Sequence, residues 1–365
     1  MAVEYLTEQR NPYEGRPGRA FWRTGVASCV GTEPSDLYRP KWPITRSTRI
    51  TTAGSCFAQH ITRTLRDVGC HVIDAEPPPQ QLPADQHAAF GYGMYSARYG
   101  NIYTARQLRQ LVEEAYNARP VSTLSWERNG AFHDGLRPGV EPEGLGSPDE
   151  VYAHRVAHLD AVRHVFWAAD VVVFTLGLTE AWVDVASGSV LPVAPGVVAG
   201  RFDPAATAFH NFGYEEIKAD LLAFMARVRQ CSSVATPRFL LTVSPVPLTA
   251  TATDGHVLTA TMHSKAVLRA VAGDLSATDP DVDYFPSFEL ICNPWLGRDY
   301  FAANRRSVTA AGVDAAMRTF LSAHGLGGDR AITDAPAAPA PERSADDTPM
   351  RVVCEEQLLD IMERA

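Results

Sequence analysis

The sequence lacks the features that would send it to a membrane, a disulfide framework or a nucleic acid. No apolar run in the 365 residues reaches the roughly 18 needed to cross a bilayer, so a transmembrane helix is excluded. Met1 to Gly15 carries Glu4, Glu8 and Glu14 and no apolar stretch, so no secretory signal is read there and the cytoplasm is the expected compartment. Cysteine is sparse: Cys29, Cys56, Cys70, Cys231, Cys292 and Cys354 are widely spaced and form no Cys-x-x-Cys pair. That excludes a disulfide scaffold and a zinc ribbon. Basic residues are in deficit, with 33 Lys and Arg against 42 Asp and Glu and a formal net charge of -9, which argues against a phosphate backbone as partner. Gly135, Gly139, Gly144 and Gly146 follow no strand and precede no Gly-Lys-Ser/Thr, so they make no phosphate loop. His154 and His158 are separated by Arg155, Val156 and Ala157 and so lack the glutamate of a metalloprotease helix. Neither a metal nor a cofactor is expected.

What is present is an ordinary globular composition, 45% hydrophobic and 21% charged, and an alternation of strands with helices. Thr48 to Ala53 reads as a β-rich run ending at Gly54-Ser55-Cys56, after which Phe57, Ile61, Leu65 and Val68 recur at helical spacing. Residues 74–100 read as a loop, Ala105 to Ala115 as a helix, and 116–150 as a polar surface excursion. A long helix over Asp149 to Ala169 feeds Val171 to Leu176, a continuous apolar run of the kind buried on both faces of a sheet. A loop or hairpin follows around Val183 to Val198, then a helix over Tyr214 to Gln230, a strand over Arg238 to Val243 and a helix over Val257 to Gly273. A strand over Val282 to Phe285 and a helix over Val308 to His324 close the body. Such alternation predicts an α/β domain, a three-layer α/β/α sandwich with a mostly parallel sheet. Its expected bounds are 41–325, between an N-terminal arm (1–40) and a linker (326–350) with a short terminal helix (351–365) that offers a contact for a protein partner. Cys70, Cys231 and Cys292 flank apolar stretches and are expected to be buried.

In parallel sheets the functional loops gather at the carboxyl ends of the strands. Gly54-Ser55-Cys56, Gly177-Leu178-Thr179-Glu180 and Ser244-Pro245-Val246 should therefore meet at one edge. A thiol or hydroxyl at the start of a helix gains from the backbone N–H groups and the helix dipole, which favour a thiolate and a developing oxyanion. The alternative for the same residues is a serine N-cap followed by a buried cysteine.

Gly54-Ser55-Cys56-Phe57-Ala58, placed after a strand, resembles the motif that names the GSCFA family, a branch resembling SGNH/GDSL-type hydrolases. Asp170 to Trp182, Leu241 to Leu248 with His256 and Ser264 to Arg269, Tyr284 to Leu290, and Asn304 to Val313 resemble its later blocks, in order over residues 48–323. The resemblance implies an SGNH/flavodoxin-like fold and an acyl-ester hydrolase or acyltransferase that forms an acyl-enzyme. Its substrate would be a small-molecule or glycan ester, or a thioester. Cys56 stands where those enzymes carry the serine nucleophile, with Ser55 as the neighbouring candidate. Gly100, followed by Asn101, matches the glycine that lends an N–H to the oxyanion hole, and Thr179 stands where an asparagine serves. Thr donates only one hydrogen bond there.

The sequence departs from that pattern where an Asp-x-x-His supplies the base: Asn304-Arg305-Arg306-Ser307 stands in its place. His256, which follows Ser244 by a short loop, is the preferred base, with Glu180 to orient its ring. Asn304 is a candidate to orient a ring or bind substrate, and Arg298 and Arg306 to hold an anionic group, so that an acidic protein would present a basic pocket mouth. The missing dyad also motivates a second reading, a catalytically silent member that binds a glycan or acyl ligand or serves as a partner subunit.

Overall fold

The computed structural model describes residues 11–34 and 36–327. The expected terminal helix and almost all of the linker lie outside the described residues. In chain order the helices and strands are α1 (Trp22–Gly25), β1 (Ile50–Gly54), α2 (Cys56–Asp67), α3 (Ala105–Ala115), β2 (Ser125–Arg128), β3 (Ala131–Asp134) and α4 (Pro148–Ala168). Next come β4 (Val171–Leu176), β5 (Glu180–Asp184), β6 (Val190–Leu191), β7 (Thr207–Asn211), α5 (Tyr214–Cys231) and β8 (Arg238–Val243). The last are α6 (Val257–Thr278), β9 (Val282–Phe285), α7 (Ser287–Cys292) and α8 (Ala310–Ala323).

The central sheet has the order β1-β4-β8-β9, and every pairing in it is parallel. Beyond β1 the chain adds one more parallel bridge, Ile50 to Val72. The path thus leaves β1 toward Val72 and returns to β4 on β1's other side. This reversal opens a crevice at the carboxyl ends of β1 and β4, where such sheets bind ligands. Strand residues alternate between two cores, as a two-residue period requires. Val172, Phe174 and Leu176 pack with α3, α4 and α5, while Val171 and Val173 pack with α2 and α8. Each of these side chains is almost wholly buried, which contributes roughly 1.5–3 kcal/mol apiece. Helices on both faces make the α/β/α sandwich that the alternation predicted.

Side chains start several of the helices. Thr104 accepts from Gln107 N–H at the head of α3, Ser147 from Glu150 N–H at α4, where Pro148 follows, and Thr309 from Gly312 N–H at α8.

Residues 116–150 differ from the expected surface excursion. They form the β2–β3 hairpin, and His133, Asp134, Arg137 and Val140 are buried. Their polar composition concealed the burial because the charges are buried as pairs. Arg137 donates to Asp134 at 2.8 Å, and Arg155 of α4 donates to Asp134 at 3.4 Å and to Glu114. A second antiparallel sheet, β6-β5-β7, contains β7, a strand the residue pattern did not reveal. Cys231 and Cys292 are half-buried rather than in the core, since each lies at a helix end; Cys70 is buried as expected.

Candidate active site

Three loops meet at the carboxyl ends of β1 and β4. Ile102 N–H donates to Gly54 O at 2.9 Å, Ser55 N–H to Thr175 O at 3.3 Å, and the Gly177 and Leu178 N–H groups to Tyr103 O at 3.1 and 2.9 Å. Ser244 follows β8, with its N–H on Leu176 O at 2.8 Å and its side chain buried, so the third expected segment adjoins the others. Gly54 has φ +142°, and a Cβ there would stand 2.6 Å from Thr175 O, so the turn into α2 admits no side chain.

Cys56 is the first residue of α2 and is 7% exposed. Ser55 sits at the N-cap, yet its hydroxyl caps nothing and makes no hydrogen bond to a described residue, although it is buried. The capping alternative therefore fails for Ser55, in contrast to Thr104, Ser147 and Thr309. Its carbonyl is held instead: Tyr95 O–H donates to Ser55 O at 3.1 Å and to Asn101 Oδ1 at 2.6 Å. Gln59, one turn into α2, donates Nε2–H to the same Asn101 oxygen at 3.2 Å and to Tyr95 Oη at 3.3 Å. This buried network clamps the Ser55–Cys56 turn against the Gly100–Asn101 segment. Two donors at Asn101 Oδ1 fix the amide's orientation and turn Nδ2 away from them. Sequence reasoning missed Gln59 and Tyr95. The only signal for Gln59 was a polar residue on an otherwise apolar helical stretch.

The candidate oxyanion donors fall into two groups. The Gly177, Leu178 and Thr179 N–H groups are all occupied, the last by Ser264 Oγ at 3.1 Å. By contrast, Gly100 is buried with φ +68°, and its N–H donates to no described residue. Thr179 Oγ1 and Thr175 Oγ1 are likewise fully buried and without a hydrogen-bond partner among the described residues.

The remaining candidates serve other ends. His256 is exposed and caps α6, its Nδ1 accepting from Leu258 N–H at 3.1 Å. The reason lies in its position: a residue at the N-cap faces the orphan N–H groups of its own helix. Glu180 does not reach a ring; it accepts from Thr251 Oγ1–H at 2.7 Å and Ala252 N–H at 3.1 Å and ties down the loop that leads to His256. Asn304 is exposed, and its Nδ2–H donates to Ser307 Oγ at 3.0 Å, so the two residues in the dyad's place bind each other. Arg298 holds the N-terminal arm through Gly31 O and an ion pair with Glu33 at 3.6 Å, rather than facing a ligand. Arg305 pairs with Asp299. Arg306 is half-buried, with its N–H on Asn304 Oδ1 at 3.1 Å. The basic pocket mouth is thus reduced, because Arg298 and Arg305 already have carboxylate partners.

Two further groups were not foreseen. His60 lies one turn after Cys56 on the same face of α2. Burial, with Arg63 adding to it, lowers its pKa to about 4, so the ring is neutral at pH 7. Lys265 of α6 is 2% exposed and donates Nζ–H to Gly177 O at 2.8 Å. Its signal was legible, since it shares the stripe of Thr261, Leu268 and Ala272 where a solvated lysine has no place.

No helix among the described residues is long and apolar enough to cross a membrane. No curated protein and no solved structure matches the chain. The GSCFA family model matches residues 49–320, a span that runs from β1 into α8 and takes in every loop of the site. The chain therefore belongs to the GSCFA family.

Proposed function

We propose that the protein is an SGNH-like acyl-transfer enzyme, hydrolase or acyltransferase, that forms an acyl-enzyme on Cys56. The observation that carries this reading is the unsatisfied donor set beside the turn. Gly100 N–H and the Thr179 hydroxyl are buried without a described partner, next to a cysteine at the first position of α2. A folded chain leaves buried donors unpaired at a cost of about 1–3 kcal/mol each, and an acyl oxygen arriving at that edge satisfies them. As negative charge grows on that oxygen the same donors bind it more strongly, which is the differential binding catalysis requires.

The reading leaves His256 out of the proton path, because its Nδ1 already serves as a cap. Substrates are acyl esters or thioesters, with an acylated glycan as one class. Turnover of a panel of p-nitrophenyl esters and acyl thioesters tests the proposal. Cys56→Ala should remove at least about a thousandfold of it, while Ser55→Ala keeps most. Full activity in Cys56→Ala overturns the proposal, and loss in Ser55→Ala alone moves the nucleophile to Ser55.

A second reading, a silent member that binds a glycan or acyl ligand, is favoured by the hydrogen bond between Asn304 and Ser307, which leaves no base in the dyad's place. It predicts saturable binding of a substrate analogue without turnover of any member of the panel.

A further inference from the structure

Trp22 of α1 and Trp295 of the loop after α7 are each 59% exposed, and their rings meet edge to face with centroids 5.2 Å apart. Val30, 61% exposed, extends the patch: a Cβ on Gly297 would stand 3.1 Å from its Cγ1. The backbone beneath is fixed. Gly31 N–H donates to Leu296 O at 2.8 Å, and Asn293 Oδ1 accepts from the Trp295 and Leu296 N–H groups at 3.1 and 3.2 Å. Two indoles held in water on a fixed frame mark an interaction surface. Its rim is basic. Arg16, Arg19 and Arg23 lie close to Trp22 in sequence and are all exposed. Glu33 is held by Arg298 and Arg318, and Asp36 by Arg19 at 3.5 Å, so Arg16 and Arg23 pair with no described carboxylate.

The chain itself carries a matching segment. Leu326, 5% exposed, packs in the core that holds Leu296, against which Val26 and Cys29 also pack, so the chain reaches Gly327 beside the patch. Residues 328–351 come next, a length that reaches about 25 Å even at random-coil dimensions. In residues 352–365, Cys354, Leu358, Ile361 and Met362 recur at helical spacing, with Glu355, Glu356, Asp360 and Glu363 between and beside them. An apolar stripe edged by carboxylates complements two tryptophans edged by arginines. We propose that residues 352–365 of the same chain cover the Trp22–Trp295 patch, their apolar stripe on the indoles and their acidic residues toward the arginines of the arm. The aromatic rings supply the contact area, and the charges set the orientation. The patch adjoins the candidate site, because Cys292 Sγ, at the base of the Trp295 loop, lies 3.5 Å from Pro245 O, next to Ser244. The docking stands whether or not Cys56 carries an acyl group.

Disulfide trapping in the full chain tests it. Cys354 is one thiol, and Val30→Cys in a Cys29→Ser background places the other in the patch; a disulfide forms only where the two Cα atoms come within about 7 Å. Pro294→Cys, exposed beside Trp295, covers the case in which Val30→Cys does not fold. Met262→Cys on α6, a position also 59% exposed, measures random encounter. Diamide oxidation is followed by non-reducing electrophoresis and peptide mass mapping. Cys354 should be trapped at the patch, within one chain, at least about tenfold faster than at Met262→Cys, because a docked segment raises the local thiol concentration. Leu358→Asp, which puts a charge in the apolar stripe, should remove most of that advantage. Equal rates at the patch and at Met262→Cys overturn the proposal, as does an advantage that survives Leu358→Asp. A patch disulfide that joins two chains overturns it in favour of a second copy as the occupant.

Discussion

Arg155 on α4 and Ser55 at the head of α2 are equally buried, at 3% exposure each. Around Arg155 the charges are paired: Glu114 and Asp134 receive its guanidinium, Arg137 shares Asp134, and Arg98 pairs with Glu141 at 2.5 Å, although Arg155 Nε and both His133 ring nitrogens have no described partner. Around Ser55 the hydroxyls of Ser55, Thr175 and Thr179 and the N–H of Gly100 have no described partner. The first region is a structural fastening that docks the β2–β3 hairpin onto α3 and α4. The second holds donors in reserve at the place where the sheet topology opens a crevice. The two regions differ in what is paired: around Arg155 the charges are, while around Ser55 the hydroxyls are not.

Breaking the fastening should have the largest effect on stability. Arg155→Met strands Glu114, whose other described partner is Ser122 N–H at 3.2 Å, and should cost about 3–5 kcal/mol. Urea unfolding measures it, and adding Glu114→Leu should recover part of the loss. Activity per folded molecule should be unchanged. Gly54→Ala comes next. It forces a Cβ against Thr175 O at a φ of +142°, which should lower stability by about 1–3 kcal/mol and abolish activity, because the turn that presents Cys56 shifts. A stable and active Gly54→Ala protein would show that the turn is not fixed by this contact.

Acid should act through three rings whose pKa burial lowers to about 4, His158, His60 and His324, and His158 is the one beside the fastening. Burial, with Arg137 adding to it, lowers the pKa of His158 to about 4, so its ring stays neutral with Nδ1–H on Glu76 at 2.7 Å. The unfolded chain takes up a proton near pH 6.5 and the folded chain does not until about pH 4. Stability is therefore fully present above about pH 6.5 and falls through that window by roughly 1.4 kcal/mol per pH unit for such a ring. His158→Gln should flatten that slope in pH-dependent unfolding. The remaining slope belongs to His60 and His324, and one that persists undiminished would place the whole titration on them.

Much of the fold was legible in periodicity. The bounds of α3, β4, β8 and β9 were read directly, because their apolar residues bury on fixed faces. The β2–β3 hairpin was not legible, because a buried arginine and a solvated one look alike in sequence; only Asp134 and Glu114, distant along the chain, reveal which it is. At the candidate site, Gly54, Cys56, Gly100 and Thr179 were named from motif order, whereas Tyr95 and Gln59 emerge only once the loops fold together. The capping role of His256 was not legible, although its reason is local: the helix it begins takes up its imidazole.

The smallest change in stability is expected at the site itself, and it separates the two regions most sharply. Thr179 Oγ1 is fully buried and bonds to no described group. Removing it in Thr179→Val breaks no hydrogen bond to a described residue and relieves the hydroxyl's desolvation, so unfolding should shift by no more than about 0.5 kcal/mol, or rise slightly. A satisfied hydroxyl behaves differently. Thr242 Oγ1 donates to Phe285 O at 2.7 Å, and Thr242→Val should cost about 1–3 kcal/mol by stranding that carbonyl. Turnover should invert this order: Thr179→Val loses about a hundredfold if its hydroxyl meets the developing oxyanion, and Thr242→Val loses little per folded molecule. Thr175→Val, which removes a hydroxyl from the end of β4 that likewise has no partner among the described residues, distinguishes a general demand for buried donors from a specific one at Thr179. Loss of activity in both valine variants would extend the oxyanion site to the strand end, and loss in neither would return Thr179 to a packing role.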